Sequence, residues 1–264
     1  LYTKISNPSL GTFSWTQIGQ DIDGEYPYDR SGNSISLSGD GNTVAIGATD
    51  NSGNGYNSGH VRLYTKISNP SLGTFSWTQL GQDINGESQY DESGYSVSLS
   101  ANGNIVAIGA PYNSGSGNSN GHVRLFTKIS NPNLGTFSWT QMGQDINGES
   151  QYDESGSSVS LASNGNIVAI GARFNDGNGT NSGHVRIYEY NSGFWIQIGQ
   201  DIDGESQYDE SGSSVSLSEN GNIVAIGAPY NGNVNSGHVR IYENIGGSWI
   251  QVGEDIDGEG VYDY

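Results

Sequence analysis

The chain repeats itself, and no other property limits its fold so sharply. Residues Leu1 to Gln17 recur unchanged as Leu63 to Gln79, and return at 125–141 with only Phe126 and Asn133 different. Tryptophan marks the period: Trp15, Trp77 and Trp139 stand 62 residues apart, and Trp195 and Trp249 follow at 56 and 54 because two loops shorten. The four histidines, His60, His122, His184 and His238, fall once per repeat in Gly-His-Val-Arg. A unit of this size cannot bury both of its faces alone, so copies must stack, radially as in a propeller or linearly as in a solenoid.

The second copy shows what each unit contains. Tyr95 to Ser100 alternates apolar and small polar residues with period two, the pattern of a first strand. Asn102-Gly103 follows and suits a type I′ hairpin turn. Ile105 to Ala110 is apolar on both faces and predicts an inner strand covered on both sides. His122 to Thr127 and Phe137 to Met142 complete a four-stranded antiparallel meander. Small serines in the first strand permit crowding at an axis and favour the radial arrangement. The expected fold is therefore all-β, a β-propeller of four-stranded antiparallel blades with four full repeats plus a partial fifth.

On this division 1–264 is a single repeat domain, with repeats at 19–80, 81–142, 143–198 and 199–252. Residues 1–18 would supply strands three and four of an incomplete blade, and 253–264 would begin the next inter-blade linker. Such a blade leaves a strand edge to be covered, which predicts a longer parent chain or head-to-tail self-assembly.

Composition narrows the function. The 41 glycines and mean hydropathy of -0.53 could suggest disorder, but the apolar residues fall in short regular runs between turn signals. A net charge of -19 with only nine Lys and Arg argues against nucleic acid as a partner. The absence of cysteine excludes disulfides and thiolate metal sites. No apolar run approaches the roughly 18 residues that predict a membrane span. Acidity, abundant Asn, Ser and Gly, and one Asn178-Gly179-Thr180 sequon fit an extracellular or cell-surface protein.

Ser-Gly-Tyr-Ser-Val-Ser stands at 93–98, Ile-Val-Ala-Ile-Gly-Ala-Pro at 105–111 and Gly-His-Val-Arg-Leu-Phe at 121–126. In this order the motifs resemble the FG-GAP, or integrin-α, repeat. The resemblance implies a propeller of four-stranded blades commonly used for extracellular adhesion. Two departures stand out. The family's Phe before Gly is Ser31, Ser93, Ser155 or Ser211 here. Its calcium loop between strands one and two is replaced by a short turn, as at 100–104.

Acidic residues gather instead in the linkers, which open with Asp-Ile-Asp-Gly-Glu or Asp-Ile-Asn-Gly-Glu and carry 22 of the 28 acids. These strand-four-to-one linkers should share a face with the Gly- and Asn-rich strand-two-to-three loops, such as 113–120. Oxygen side chains recur at positions 1, 3, 5 and 9 of each linker. The candidate ligands are Asp21, Asp23, Glu25 and Asp29; Asp83, Asn85, Glu87 and Asp91; Asp145, Asn147, Glu149 and Asp153; and Asp201, Asp203, Glu205 and Asp209. Hard oxygens at that spacing suit Ca²⁺. Position 6, normally Gly in such loops, is Tyr26, Ser88, Ser150, Ser206 or Gly260, and the alternative is that the acids cap turns and solvate the surface.

The His-x-Arg pairs point two side chains to one face of strand three, but equivalent positions on different blades lie too far apart for four histidines to share one ion. Pairing of each Arg with a loop carboxylate, and packing of each Trp between blades, are the expected roles. No nucleophile elbow, zinc-protease helix or phosphate loop occurs, and Asp, His and Ser recur almost identically in each unit rather than forming one asymmetric constellation. The chain should be no enzyme but an extracellular structural or adhesive module that contacts protein or glycan through its acidic face. The alternative is a multivalent carbohydrate-binding lectin.

Overall fold

The computed structural model describes residues 1–7, 11–114, 118–231 and 236–260. Residues 115–117 of the expected second loop and 261–264 of the last acidic segment lie outside the described residues. Among the described residues there is no helix; four antiparallel sheets follow a hairpin of Tyr2–Asn7 and Thr12–Gln17. The first sheet is built from Ser31–Leu37, Thr43–Ala48, His60–Asn69 and Thr74–Gln79. The second uses Ser96–Leu99, Ile105–Ala110, His122–Asn131 and Thr136–Gln141. The third uses Ser158–Leu161, Ile167–Ala172, His184–Asn191 and Phe194–Gln197, and the fourth Ser214–Leu217, Ile223–Ala228, His238–Ile245 and Ser248–Gln251. Each sheet is a meander in chain order, so every blade is locally connected.

The core lies between the blades. Ala45, Val61 and Leu63 of the first sheet pack on Leu99, Val106, Ile108 and Trp139 of the second. Val123 and Leu125 of the second meet Leu161, Val168, Ile170 and Trp195 of the third, and Val185 and Ile187 meet Val224, Ile226 and Trp249 of the fourth. Full burial of one such aliphatic side chain is worth about 1.5–3 kcal/mol. Packing between neighbouring blades therefore contributes substantially to the stability of each.

First strands of successive sheets lie against one another. Their serines do more than save space. The Leu99, Leu161 and Leu217 N–H groups donate to the hydroxyls of Ser36, Ser98 and Ser160 in the preceding blade, each at 2.9 Å. Ser96 and Ser158 in turn donate to the Gly156 and Gly212 carbonyls of the following blade at 2.7 Å. Gly109 makes this approach feasible: a Cβ there would run into the Gly156 carbonyl and the Ser96 hydroxyl.

At the rim, four of the five tryptophans join successive units of the repeat. The indole N–H of Trp77, Trp139, Trp195 and Trp249 donates to the carbonyl of Ile18, Leu80, Met142 and Ile198, at 2.7–2.9 Å. Gln82 adds a side-chain clamp: its Nε2 donates to the Trp139 carbonyl at 2.8 Å, and its Oε1 accepts from the Trp139 N–H at 3.1 Å. Gln20, Gln144 and Gln200 repeat it on Trp77, Trp195 and Trp249.

Two local expectations need correction. Asn102-Gly103 does not form a type I′ turn, because Gly103 has φ of 65° while Asn102 is not in the left-handed region. Instead the Gly103 N–H donates to the Ser100 carbonyl, and the Asn102 side chain accepts from the Asn104 N–H and from the Ser100 hydroxyl, each at 2.9 Å. The side-chain bonds stabilise a longer loop that the dipeptide alone does not reveal. The four later linkers also contain a short strand that the sequence pattern does not predict, whereas the first linker does not: Ile84–Asn85, Ile146–Asn147, Ile202–Asp203 and Ile256–Asp257 pair with the start of their own blade's third strand.

Candidate metal centres and the acidic face

That short strand positions the linker's acids. Pairing of Asn85 with His60, and of Ile84 with Val61, holds the first half of the linker beside the Gly-His-Val-Arg strand. Asp83, one residue earlier, reaches the His60 imidazole; Glu87, two residues later, points instead to His122 of the next blade. One linker thus serves two histidines. The four oxygens expected to surround a single ion are divided among different partners.

Position 1 has two contacts. Asp83, Asp145, Asp201 and Asp255 accept from the side-chain amide of Gln79, Gln141, Gln197 and Gln251 at 2.6 Å, and each stands beside its own blade's histidine. Asp21 accepts from Gln17 at 2.9 Å. At position 3 the backbone is used: the carbonyls of Asp23, Asn85, Asn147 and Asp203 accept from Arg62, Arg124, Arg186 and Arg240 at 2.7–2.8 Å. The position 5 carboxylates, Glu25, Glu87, Glu149 and Glu205, pair with the same four arginines at 3.3–3.8 Å.

Position 9 is structural. Asp29, Asp91, Asp153 and Asp209 are buried. They accept from the backbone N–H of Tyr26, Ser88, Ser150 and Ser206, and from the amides of Asn51, Asn113, Asn175 and Asn231 at 2.9–3.0 Å. These bonds tie the linker to the strand-two-to-three loop. The preceding tyrosines, Tyr28, Tyr90, Tyr152 and Tyr208, adopt φ of 67–75°, a costly conformation for a bulky L residue. All four are exposed, Tyr28 by 92%.

Four His–carboxylate groups result among the described residues: Glu25–His60–Asp83, Glu87–His122–Asp145, Glu149–His184–Asp201 and Glu205–His238–Asp255. In each, one ligand-competent atom per residue lies within 4.8 Å of the other two. The repeated groups could hold a metal ion. Burial pushes the His122 and His184 imidazoles down to about 4, with Arg124 and Arg186 adding to the effect, and burial lowers His60 as well. The two former rings are neutral at pH 7, the form in which a nitrogen can bind a cation. His238 Nδ1 is buried with no hydrogen-bond partner.

The histidines were not expected to share one ion, and the structure gives each its own carboxylate pair. What the sequence reading missed is that each ligand set spans two linkers. A signal existed: His recurs once per unit, and each is preceded and followed by an acidic linker, although the spacing to those acids changes with loop length. Assigning the acids to different histidines required the blade packing.

Residues 147–188 match the family model described as FG-GAP repeat. The chain carries an FG-GAP repeat. That match covers the third unit from its linker to its third strand, in agreement with the motif order in the other copies. No curated protein matches the sequence. Among solved structures, Kuenenia stuttgartiensis hydrazine synthase superposes with a TM-score of 0.50 at 10% identity, over 90% of this chain and 51% of that one. The chain thus spans about half that protein's length. A putative 6-phosphogluconolactonase from Bacteroides uniformis gives 0.49 at 12% identity, over 97% and 78% of the two chains. At such identity the first likeness bears on fold alone, and it agrees with propeller-type stacking of four-stranded blades.

Proposed function

We propose that this chain is a non-enzymatic binding module, extracellular or at a cell surface, that contacts protein or glycan through the linker face. The observation that carries the reading is the array of Tyr28, Tyr90, Tyr152 and Tyr208. Each ring is exposed on a backbone held at positive φ by the adjoining buried Asp. The backbone N–H groups of Tyr90, Tyr152 and Tyr208 donate to the carbonyls of Tyr56, Asn118 and Thr180 at 2.8–2.9 Å, fixing the main chain that carries each ring to the neighbouring loop. Backbone strain concentrates at functional positions, and rigid exposed tyrosines are effective contact residues with little entropy to lose. Four equivalent weak contacts add by avidity rather than individual affinity.

Catalysis is not supported by this arrangement, because the same polar residues recur in every blade. Ca²⁺ is the cation that the linker oxygens alone suggest, although the imidazole in each group changes which ion fits. A lectin is the second reading, favoured by the exposed aromatic rings, which can stack on sugars. Chain-coated beads and a glycan array test both. Replacement of all four tyrosines by serine should abolish bead adhesion to protein-coated surfaces, or array binding to one sugar class. Undiminished binding by a folded quadruple variant would exclude the tyrosine face.

A further inference from the structure

We infer that each Glu–His–Asp group is a binding site for a divalent first-row transition ion, with Zn²⁺ the best fit, rather than for Ca²⁺. Such a site is independent of what the linker face contacts, and its clearest mark is a frustrated contact. His238 Nδ1 faces Glu205 Oε2 at 3.9 Å and Asp255 Oδ2 at 3.6 Å, too far for a hydrogen bond to either. Its side chain is 1% exposed, and Nδ1 has no hydrogen-bond partner. A buried polar nitrogen aimed between two carboxylate oxygens is costly when left unpaired. A cation between them would satisfy all three groups.

The spacing fits a small ion. Donors about 2.0–2.1 Å from a tetrahedral Zn²⁺ lie about 3.3 Å apart. His60–Glu25, His122–Glu87 and His184–Asp201 are each 3.9 Å apart, so modest rotations of the partly exposed carboxylates would close the site. Ca²⁺ takes six to eight oxygens at 2.3–2.6 Å, whereas these groups offer an imidazole nitrogen and two carboxylates. Glu87 can place Oε2 toward the ion while Oε1 faces Arg124 at 3.4 Å, which fixes the ligand's orientation. The Gln141 amide holds Asp145 in the same way. A fourth position would remain for water or a group from a partner.

Because each ligand set joins acids from two successive linkers, the ion would bridge adjacent blades. The full chain, stripped with chelator and titrated with zinc chloride in calcium-containing buffer, should bind four equivalents by calorimetry, confirmed by elemental analysis after gel filtration. Glu87→Gln should lose one equivalent and keep three, with parental far-UV dichroism showing that it folds. If that variant does not fold, Asp145→Asn removes a ligand from the same group and carries the same expectation. Three results would overturn the inference: no zinc uptake by the parent chain, four equivalents retained by either folded variant, or displacement of the zinc by excess calcium.

Discussion

Leu1–Gln17 and Leu63–Gln79 have the same sequence but different surroundings. Both make the same hairpin: Lys4 pairs with Trp15 as Lys66 pairs with Trp77, and the closing bonds, Ile18 N–H to Leu1 carbonyl and Leu80 N–H to Leu63 carbonyl, are 2.8 and 2.7 Å. Yet Trp15 is 63% exposed and Trp77 only 4%. In the second copy, Ile18 accepts the indole N–H and Gln20 clamps the backbone. The comparison separates two levels of encoding. Local sequence sets the hairpin register, whereas the preceding linker decides whether the tryptophan belongs to a core.

The largest break in that comparison should come from the tryptophans themselves. Trp139→Ala would remove a ring packed between two blades and should cost about 3–5 kcal/mol. Trp15→Ala should remain within about 0.5 kcal/mol of the parent. Urea melts monitored by far-UV dichroism would show the difference, and equal shifts would mean that the two copies share an environment after all.

A next effect concerns the four blades, each of which carries one histidine. His122 and His184 have folded-state values near 4 against an ordinary 6.5, so between these limits the unfolded chain binds the extra proton. Their contribution to stability is complete above pH 6.5, falls as pH drops, and levels off below about 4. The shift corresponds to about 3 kcal/mol per buried histidine. Chelator-treated protein melted from pH 7.5 to 4 should lose stability across this window, and His122→Gln should shallow the slope. A parallel pH profile for the variant would remove His122 from the account.

The smallest contrast concerns two glutamines. Gln82→Ala breaks both clamp bonds to Trp139 and should cost about 1–2 kcal/mol. Gln17→Ala removes an exposed bond to Asp21 and should cost less than about 0.5 kcal/mol. Matched denaturation curves would sharpen or erase the distinction.

The readable and unreadable parts of the protein divide along the same line. Ile105–Ala110 occupies the strand expected from its uninterrupted apolar run, since a strand covered on both faces needs no alternation. Each third strand begins at its histidine as expected, but that of the second blade continues to Asn131, where cross-strand pairing with Thr136 compensates for its polar sequence. The linkers were the hardest to read. Asp-Ile-Asn resembles a solvated turn until Ile146 is seen at 3% exposure beside Val123.

By itself, the sequence determined the repeat, the four main strands of each blade and their order, and the concentration of acids in one set of loops. Those properties depend on residue period and neighbours close along the chain, so they are written in every copy. Tertiary structure alone decided that Asp83 belongs to His60 while Glu87 belongs to His122. Only three residues lie between the two carboxylates, but the short strand at Ile84–Asn85 brings one back to its own blade while the chain beyond it crosses to the next. That division requires two packed blades, and no local pattern in a single linker contains it.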